Sequence, residues 1–158
     1  ENEELLKPLV AFMEERGREP AEDELDAAET IGSVFGSIRR AVRALRRVSG
    51  DEQWDAIADE RANDLLIYLA LSRFDRRPQY SQLPRLLQRD VKAFFSTYKR
   101  ACARADELLY GLGETGVIDR SCVESTLGKL MPTALYVHES ALELLSPTLR
   151  LFEGCARG

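Results

Sequence analysis

The chain has 158 residues, 44% hydrophobic and 31% charged, enough apolar surface to bury a core and too much for a disordered tail. No apolar run nears the roughly 20 residues that span a bilayer, no N-terminal stretch reads as a signal peptide, and the net charge of −5 argues against a dedicated DNA binder. Three cysteines, Cys102, Cys122 and Cys155, form no C-x-x-C pair, which argues against a disulfide framework or a zinc site and points to a reduced, cytoplasmic setting.

Almost every segment reads with helical period. Leu5, Leu6, Leu9 and Phe12-Met13 follow i, i+3, i+4, i+7 spacing, with Pro8 in a first turn and Gly17 as the stop. A second helix, about 21–31, opens on acids, as the positive end of a helix dipole favours, and Gly32 and Gly36 break it. Ser37 caps a third helix running to about Val48, and Asp51 caps a fourth through Trp54, Ile57, Arg61, Leu65 and Tyr68-Leu69. Its second half, 65–71, is apolar on nearly all sides and reads as a buried central helix, with a short buried strand as the alternative. Arg76-Arg77-Pro78 and Pro84 mark an irregular link, with Ser81 a candidate cap.

Leu87, Val91, Phe94-Phe95, Tyr98, Cys102, Ala105 and Leu109 carry the clearest 3.6-residue period and predict one long helix. Beyond it the pattern predicts a short helix near 117–124, a loop through Gly128 and Pro132, and helices near 134–145 and 147–156. Ser146-Pro147 is a good helix start, with proline in the first helical position. There is no convincing hairpin and no internal repeat. The expected fold is all-α, a single compact domain over 1–158 of seven or eight helices, with a possible N-terminal subregion 1–50. The termini suggest a fragment of a longer protein.

Gly111-Leu112-Gly113-Glu114-Thr115-Gly116 matches G-x-G-x-x-G, the spacing that lets a backbone approach a nucleotide, and loosely resembles a glycine-rich S-adenosylmethionine motif. A phosphate loop of that kind needs a strand before it and a helix start after it. Here an amphipathic helix leads in, so Gly111 reads as a helix terminator adopting the left-handed conformation, and no cofactor is assigned to this chain.

The one histidine, His138, excludes most histidine-based metal sites and stands as a lone acid–base or binding group, with Glu139 and Glu143 as an i, i+4 pair beside it. No Ser-His-Asp ordering, Walker lysine motif or H-E-x-x-H is present, so no catalytic residue is named and no metal site is expected.

Charge is the louder signal. Residues 1–35 carry 11 acids and 3 bases, 36–50 carry 5 bases and no acid, and 51–72 carry 6 acids and 1 base. Residues 73–104 then carry 9 bases and 2 acids, and 105–158 carry 8 acids and 4 bases. At 100° per residue, Arg39, Arg40, Arg43, Arg46 and Arg47 fall within about 120° of arc, opposite Ile38, Ala41, Val42, Leu45 and Val48. Guanidiniums on one stripe suit phosphate contacts. Arg73, Arg76, Arg77, Arg85, Arg89 and Lys92 form a second basic stretch, with Phe74 and Tyr80 interleaved as stacking platforms or core. Pairing of both stretches with the acidic segments, within the chain or across to a partner, is the competing reading.

Multi-residue words in the second half carry a family resemblance: Asp64-Leu-Leu-Ile-Tyr-Leu-Ala-Leu71, Arg77-Pro78, Leu83-Pro84, Gln88-Arg-Asp-Val-Lys-Ala-Phe-Phe95, Tyr98-Lys99 and Gly128-Lys-Leu-Met-Pro-Thr-Ala-Leu-Tyr-Val-His138. With Leu149-Arg150 and Glu153-Gly-Cys-Ala-Arg157, and more weakly the Glu3–Val48 region, they resemble the DNA phosphorothioation-associated methyltransferase family of bacteria. Glu139 departs from it, standing where the resemblance implies arginine. The family's methyltransferase motif lies in a separate α/β region, so the resemblance implies a non-catalytic helical part that contacts or positions DNA. S-adenosylmethionine would then belong to the parent protein, and the partners would be DNA and other domains or subunits of a DNA-modification system, with no membrane. The alternatives are a helical protein-interaction or scaffold module and, behind it, a methyltransferase acting through the glycine stretch.

Overall fold

Residues 2–157 are described in a computed structural model, and their architecture is all-α. Eight α-helices are present among them: α1 (Asn2–Arg16), α2 (Ala28–Phe35), α3 (Ile38–Ser49), α4 (Glu52–Leu71), α5 (Arg85–Phe95), α6 (Tyr98–Gly111), α7 (Val117–Glu124) and α8 (Pro147–Arg157). A two-stranded sheet, β1 (Lys129–Met131) and β2 (Ala134–Tyr136), and short 3-10 turns complete the order. The chain divides into two units, Glu1–Ala62 and Asn63–Gly158, with the division inside α4.

The first unit is built around Leu9 and Met13 of α1, Leu25, Ile31 of α2, Ile38, Ala41 and Val42 of α3, and Trp54 of α4, all buried. In α1 the helix begins at Asn2, so Pro8 sits in the second turn and not the first, removing one backbone hydrogen bond from the ladder. Gly17 ends α1 in the left-handed region at φ +66°, its N–H donating to the Met13 carbonyl at 2.8 Å.

The helix expected over 21–31 is displaced toward the C-terminus, and the cause is Glu24. Its carboxylate accepts from Arg18 Nη1 and Nη2, each at 2.8 Å, and from the Ala21 N–H at 2.9 Å. Arg18 also lies 5.2 Å over the Phe12 ring. This buried bidentate pair holds the acidic segment as a 3-10 turn. Only then does α2 start, running through Gly32 and stopping at Gly36, where φ is +84°. Ser37 caps α3 as expected, its Oγ accepting from the Arg40 N–H at 3.2 Å. Val48, assigned to the apolar side of α3, is 89% exposed, because the core contact ends one turn earlier at Leu45.

In the second unit Leu65, Leu66, Leu69 and Ala70 of α4 pack with Leu83, Val91 of α5, Ala101 and Ala105 of α6, and Leu151 of α8. Residues 65–71 are helical, which removes the strand alternative. The single long helix expected from Leu87 to Leu109 is two. Ser96 takes a left-handed φ of +64°, and Thr97 restarts the chain as the cap of α6, its Oγ1 accepting from the Arg100 N–H at 3.3 Å. Period alone hides this break, since Phe94, Phe95 and Tyr98 all still face the core cluster. Tyr98 is pinned by donating its hydroxyl to the Pro78 carbonyl, with its ring 5.8 Å from that of Tyr80.

Two further expectations fail between α7 and α8. A hairpin stands where none was expected, with Lys129 opposite Tyr136, Leu130 opposite Leu135, and Met131 opposite Ala134. Its two-residue connection is Pro132-Thr133, without the Asn-Gly or Gly-X signature that marks such turns in sequence. Gly128, at φ +83°, is where a Cβ would collide with the Tyr136 carbonyl, so the hairpin depends on glycine there. The helix expected near 134–145 is instead β2 followed by a 3-10 stretch, Glu139–Leu144.

Candidate nucleic-acid interface

The core contact of α3 fixes which side of it faces out. With Ile38, Ala41 and Val42 buried, Arg39, Arg40, Arg43 and Arg47 are exposed together on the opposite side. Arg40, Arg43 and Arg47 have no carboxylate partner among the described residues, and Arg39 approaches only Glu19, at 3.8 Å with both side chains exposed. Arg46 differs. Its Nε donates to Asp51 at 2.6 Å and its Nη2 to Asp55, and the hydrogen bond to Asp51 and then that to Asp55 hold its pKa above the ordinary arginine value. Arg46 thus clamps the end of α3 to the start of α4 and leaves the stripe one guanidinium short.

The second basic stretch divides in the same way. Arg77 is largely buried, donating Nε to the Leu69 carbonyl at 2.8 Å and Nη2 to Asp106 at 2.7 Å. Burial draws its pKa down, but the bond and charge of Asp106, with the Cys102 thiol, outweigh that and leave it raised. Asp106 also accepts from Arg73 at 3.0 Å, and Arg73 lies 5.5 Å over the Tyr110 ring. The bond from Arg77, ahead of the opposing effect of burial, holds the Asp106 carboxyl below its usual range. Next to this cluster Tyr98 is pushed up to about 12, by burial first and then by its bond with Cys102. Neither Arg85 nor Arg89 is without a partner. Arg76 and Lys92 are exposed, and Arg76 sits at a left-handed φ of +63°, uncommon for a residue with a side chain. Phe74 is 65% exposed, while Tyr80 packs on the core.

His138 caps the 3-10 stretch that follows it: its Nδ1 accepts from the Ser140 N–H at 3.2 Å and lies 2.8 Å from the Ser140 hydroxyl. Both Glu139 and Glu143 are exposed. The glycine stretch is led by α6, and Gly111 is its last residue. It is Gly116, at φ +76°, and not Gly111 that takes the left-handed conformation, at the start of α7. A helix–turn–helix link is therefore what G-x-G-x-x-G forms here.

Sequence reasoning left out Arg100 and Arg104, exposed one turn apart on α6 beside Phe94 and Phe95. Their i, i+4 spacing inside the basic 73–104 block was the available signal; the Ser96 break that turns them toward the two rings was not. Among the described residues no group of three His, Cys, Asp or Glu side chains is disposed to hold a metal ion. All three cysteines are free, and no described helix is long and apolar enough to cross a membrane. No protein-family model matches this chain, and no curated protein or solved structure matches it either.

Proposed function

We propose that this chain is a non-catalytic helical module of a bacterial DNA phosphorothioation-associated, methyltransferase-like protein, and that it contacts DNA phosphates through the exposed side of α3. The observation that carries the reading is the set of Arg40, Arg43 and Arg47, exposed on one helix face with no carboxylate partner among the described residues. Successive turns of an α-helix rise about 5.4 Å, so Arg39, Arg43 and Arg47 offer a row of planar donors to successive acceptors along a backbone. No Asn or Gln lies within α3, so its contacts would come from guanidiniums, whose planar donors suit phosphate oxygens. Any S-adenosylmethionine chemistry belongs, on this reading, to the parent protein.

The test is fluorescence anisotropy with a DNA duplex across a salt series, comparing the wild type with R40A/R43A/R47A. The salt slope is about −0.9 per phosphate neutralised, so three lost contacts flatten it by about 2.7. Affinities of the two proteins then differ by about 40-fold more at 50 mM salt than at 200 mM, from the same slope. Equal slopes, or no binding by the wild type, would sink the proposal.

A protein-interaction module is the second reading. It is favoured by the exposed Val123, Leu130, Met131 and Tyr136 of α7 and the hairpin, which a partner could cover.

A further inference from the structure

We infer that the second unit carries a nucleotide-binding site at the α5–α6 break, separate from α3 and independent of it. The break is the cause of the site. Ser96 donates its N–H to the Lys92 carbonyl at 3.2 Å, Thr97 donates to the Phe95 carbonyl at 2.7 Å, and the chain reverses into α6. Phe94 and Phe95 at the end of α5, Ser96, and Arg100 and Arg104 on α6 are thereby gathered around one open cavity of about 290 Å³. Had α5 and α6 been one helix, no such concavity could form between them.

The lining has a specific chemistry. The two rings are half-buried and edge-on to each other, with centroids 6.4 Å apart and planes at 76°, fixed from behind by the core. Arg100 has no ion-pair partner among the described residues, and Arg104 approaches only Glu107, at 3.7 Å with both side chains about two-thirds exposed. No carboxylate lines the cavity. Apolar rings beside unneutralised guanidiniums select a ligand with a flat apolar part and an anionic part a few ångströms away. A nucleotide has both: its base lies against the phenylalanine rings and its phosphate takes the planar donors of Arg100 and Arg104. The volume lies just below the roughly 300–1,000 Å³ usual for ligand pockets, which suits one nucleotide and not a dinucleotide. The source is either a free mononucleotide or an unpaired nucleotide of a strand, and the recognising groups are the same.

Titration of the ¹⁵N-labelled chain by NMR separates these cases, using AMP, single-stranded oligothymidylate and phenyl phosphate as probes. The expected result is amide shifts confined to residues 94–104. Shifts with AMP and not with oligothymidylate identify a free-nucleotide site; shifts with oligothymidylate identify a site that a strand can reach. R100A/R104A, on the exposed face, should weaken binding about tenfold, the loss of charge-assisted phosphate bonds. F95L, which keeps bulk but loses the ring, should weaken AMP. R40A/R43A/R47A should leave these shifts intact, so failure of the α3 reading and failure of this one are told apart. The inference is overturned if neither AMP nor oligothymidylate moves residues 94–104 at millimolar concentration. It is overturned equally if R100A/R104A binds unchanged, or if phenyl phosphate binds as tightly as AMP, which would assign the cavity to phosphorylated aromatic side chains.

Discussion

Asp106→Asn tests whether the Arg77 cluster is a structural clamp. Arg77 ties the last turn of α4, through the Leu69 carbonyl, to α6, through Asp106. The substitution keeps shape and one acceptor oxygen but removes the charge facing Arg77 and Arg73. The side chains of Arg77 and Asp106 are 14% and 26% exposed, between a surface pair and a buried one. Exposed pairs are worth about 0.2–1 kcal/mol, and removing one partner of a buried pair costs about 3–5 kcal/mol. An intermediate loss of about 2 kcal/mol is expected, because the surviving guanidinium keeps partial access to water. With a urea slope of about 2 kcal/mol per molar, the unfolding midpoint falls by about 1 M.

The pH dependence adds a second signature. The folded Asp106 carboxyl lies below its ordinary value, so its contribution is fully present above the unfolded pKa and disappears as pH falls through the folded one. Circular dichroism through a urea series should therefore show the full gap between wild type and D106N at neutral pH, narrowing once acidified below the ordinary carboxylate range. Glu4→Gln is the control: Glu4 pairs with Lys7 at 77% and 65% exposure, and its loss should cost less than about 0.5 kcal/mol. A D106N midpoint no lower than that of E4Q would refute the clamp, and so would a gap that persists undiminished in acid.

Leu69→Ala removes a side chain with no exposed surface from the centre of the second unit, and should cost about 2–5 kcal/mol in the same assay. A loss under about 1 kcal/mol would mean that the site collapses around the smaller residue. Gly111→Ala goes the other way. A Cβ there meets open space, and Gly111 is helical, so the substitution should be neutral or stabilise by up to about 1 kcal/mol in a thermal melt. A clear drop in melting temperature would mean that the glycine answers a backbone or ligand constraint, as a cofactor loop requires.

What was legible in sequence follows from how far each signal reaches. The all-α architecture was readable because burial repeats every 3.6 residues through α1, α3 and α8, and because Ser37 and Pro147 mark the starts of α3 and α8 locally. The α3 stripe was readable for the same reason, since an angle between side chains on one helix needs no tertiary information. Arg46 and Arg77 were not separable from their neighbours. Their partners Asp55 and Asp106 lie 9 and 29 residues away, and composition cannot say which acid a given arginine meets. Ser96 escaped because a left-handed residue without glycine leaves no compositional mark, and the apolar period resumes in phase after it. Beside it lies the cavity of Phe94, Phe95, Arg100 and Arg104, so the same missing mark concealed that too.

The division between clamped and free arginines has a physical basis. A guanidinium taken from water must find a partner, because an unpaired buried charge costs more than the chain can spare. Arg18, Arg46, Arg77 and Arg150, with side chains 6%, 31%, 14% and 19% exposed, each meet a carboxylate within 3 Å. Stability accounts for those four. It does not account for Arg39, Arg40, Arg43 and Arg47. Like charges at i, i+4, as in Arg39–Arg43 and Arg43–Arg47, destabilise a helix by about 0.2–0.5 kcal/mol per pair, so the stripe works against α3. Acids to relieve it are plentiful, with 11 in residues 1–35, yet among the described residues only Glu19 comes near, at 3.8 Å from Arg39. On the proposed reading, the face is kept for an external polyanion. Binding would remove the repulsion and release the ions that screen it, so the strain in free α3 becomes part of the affinity.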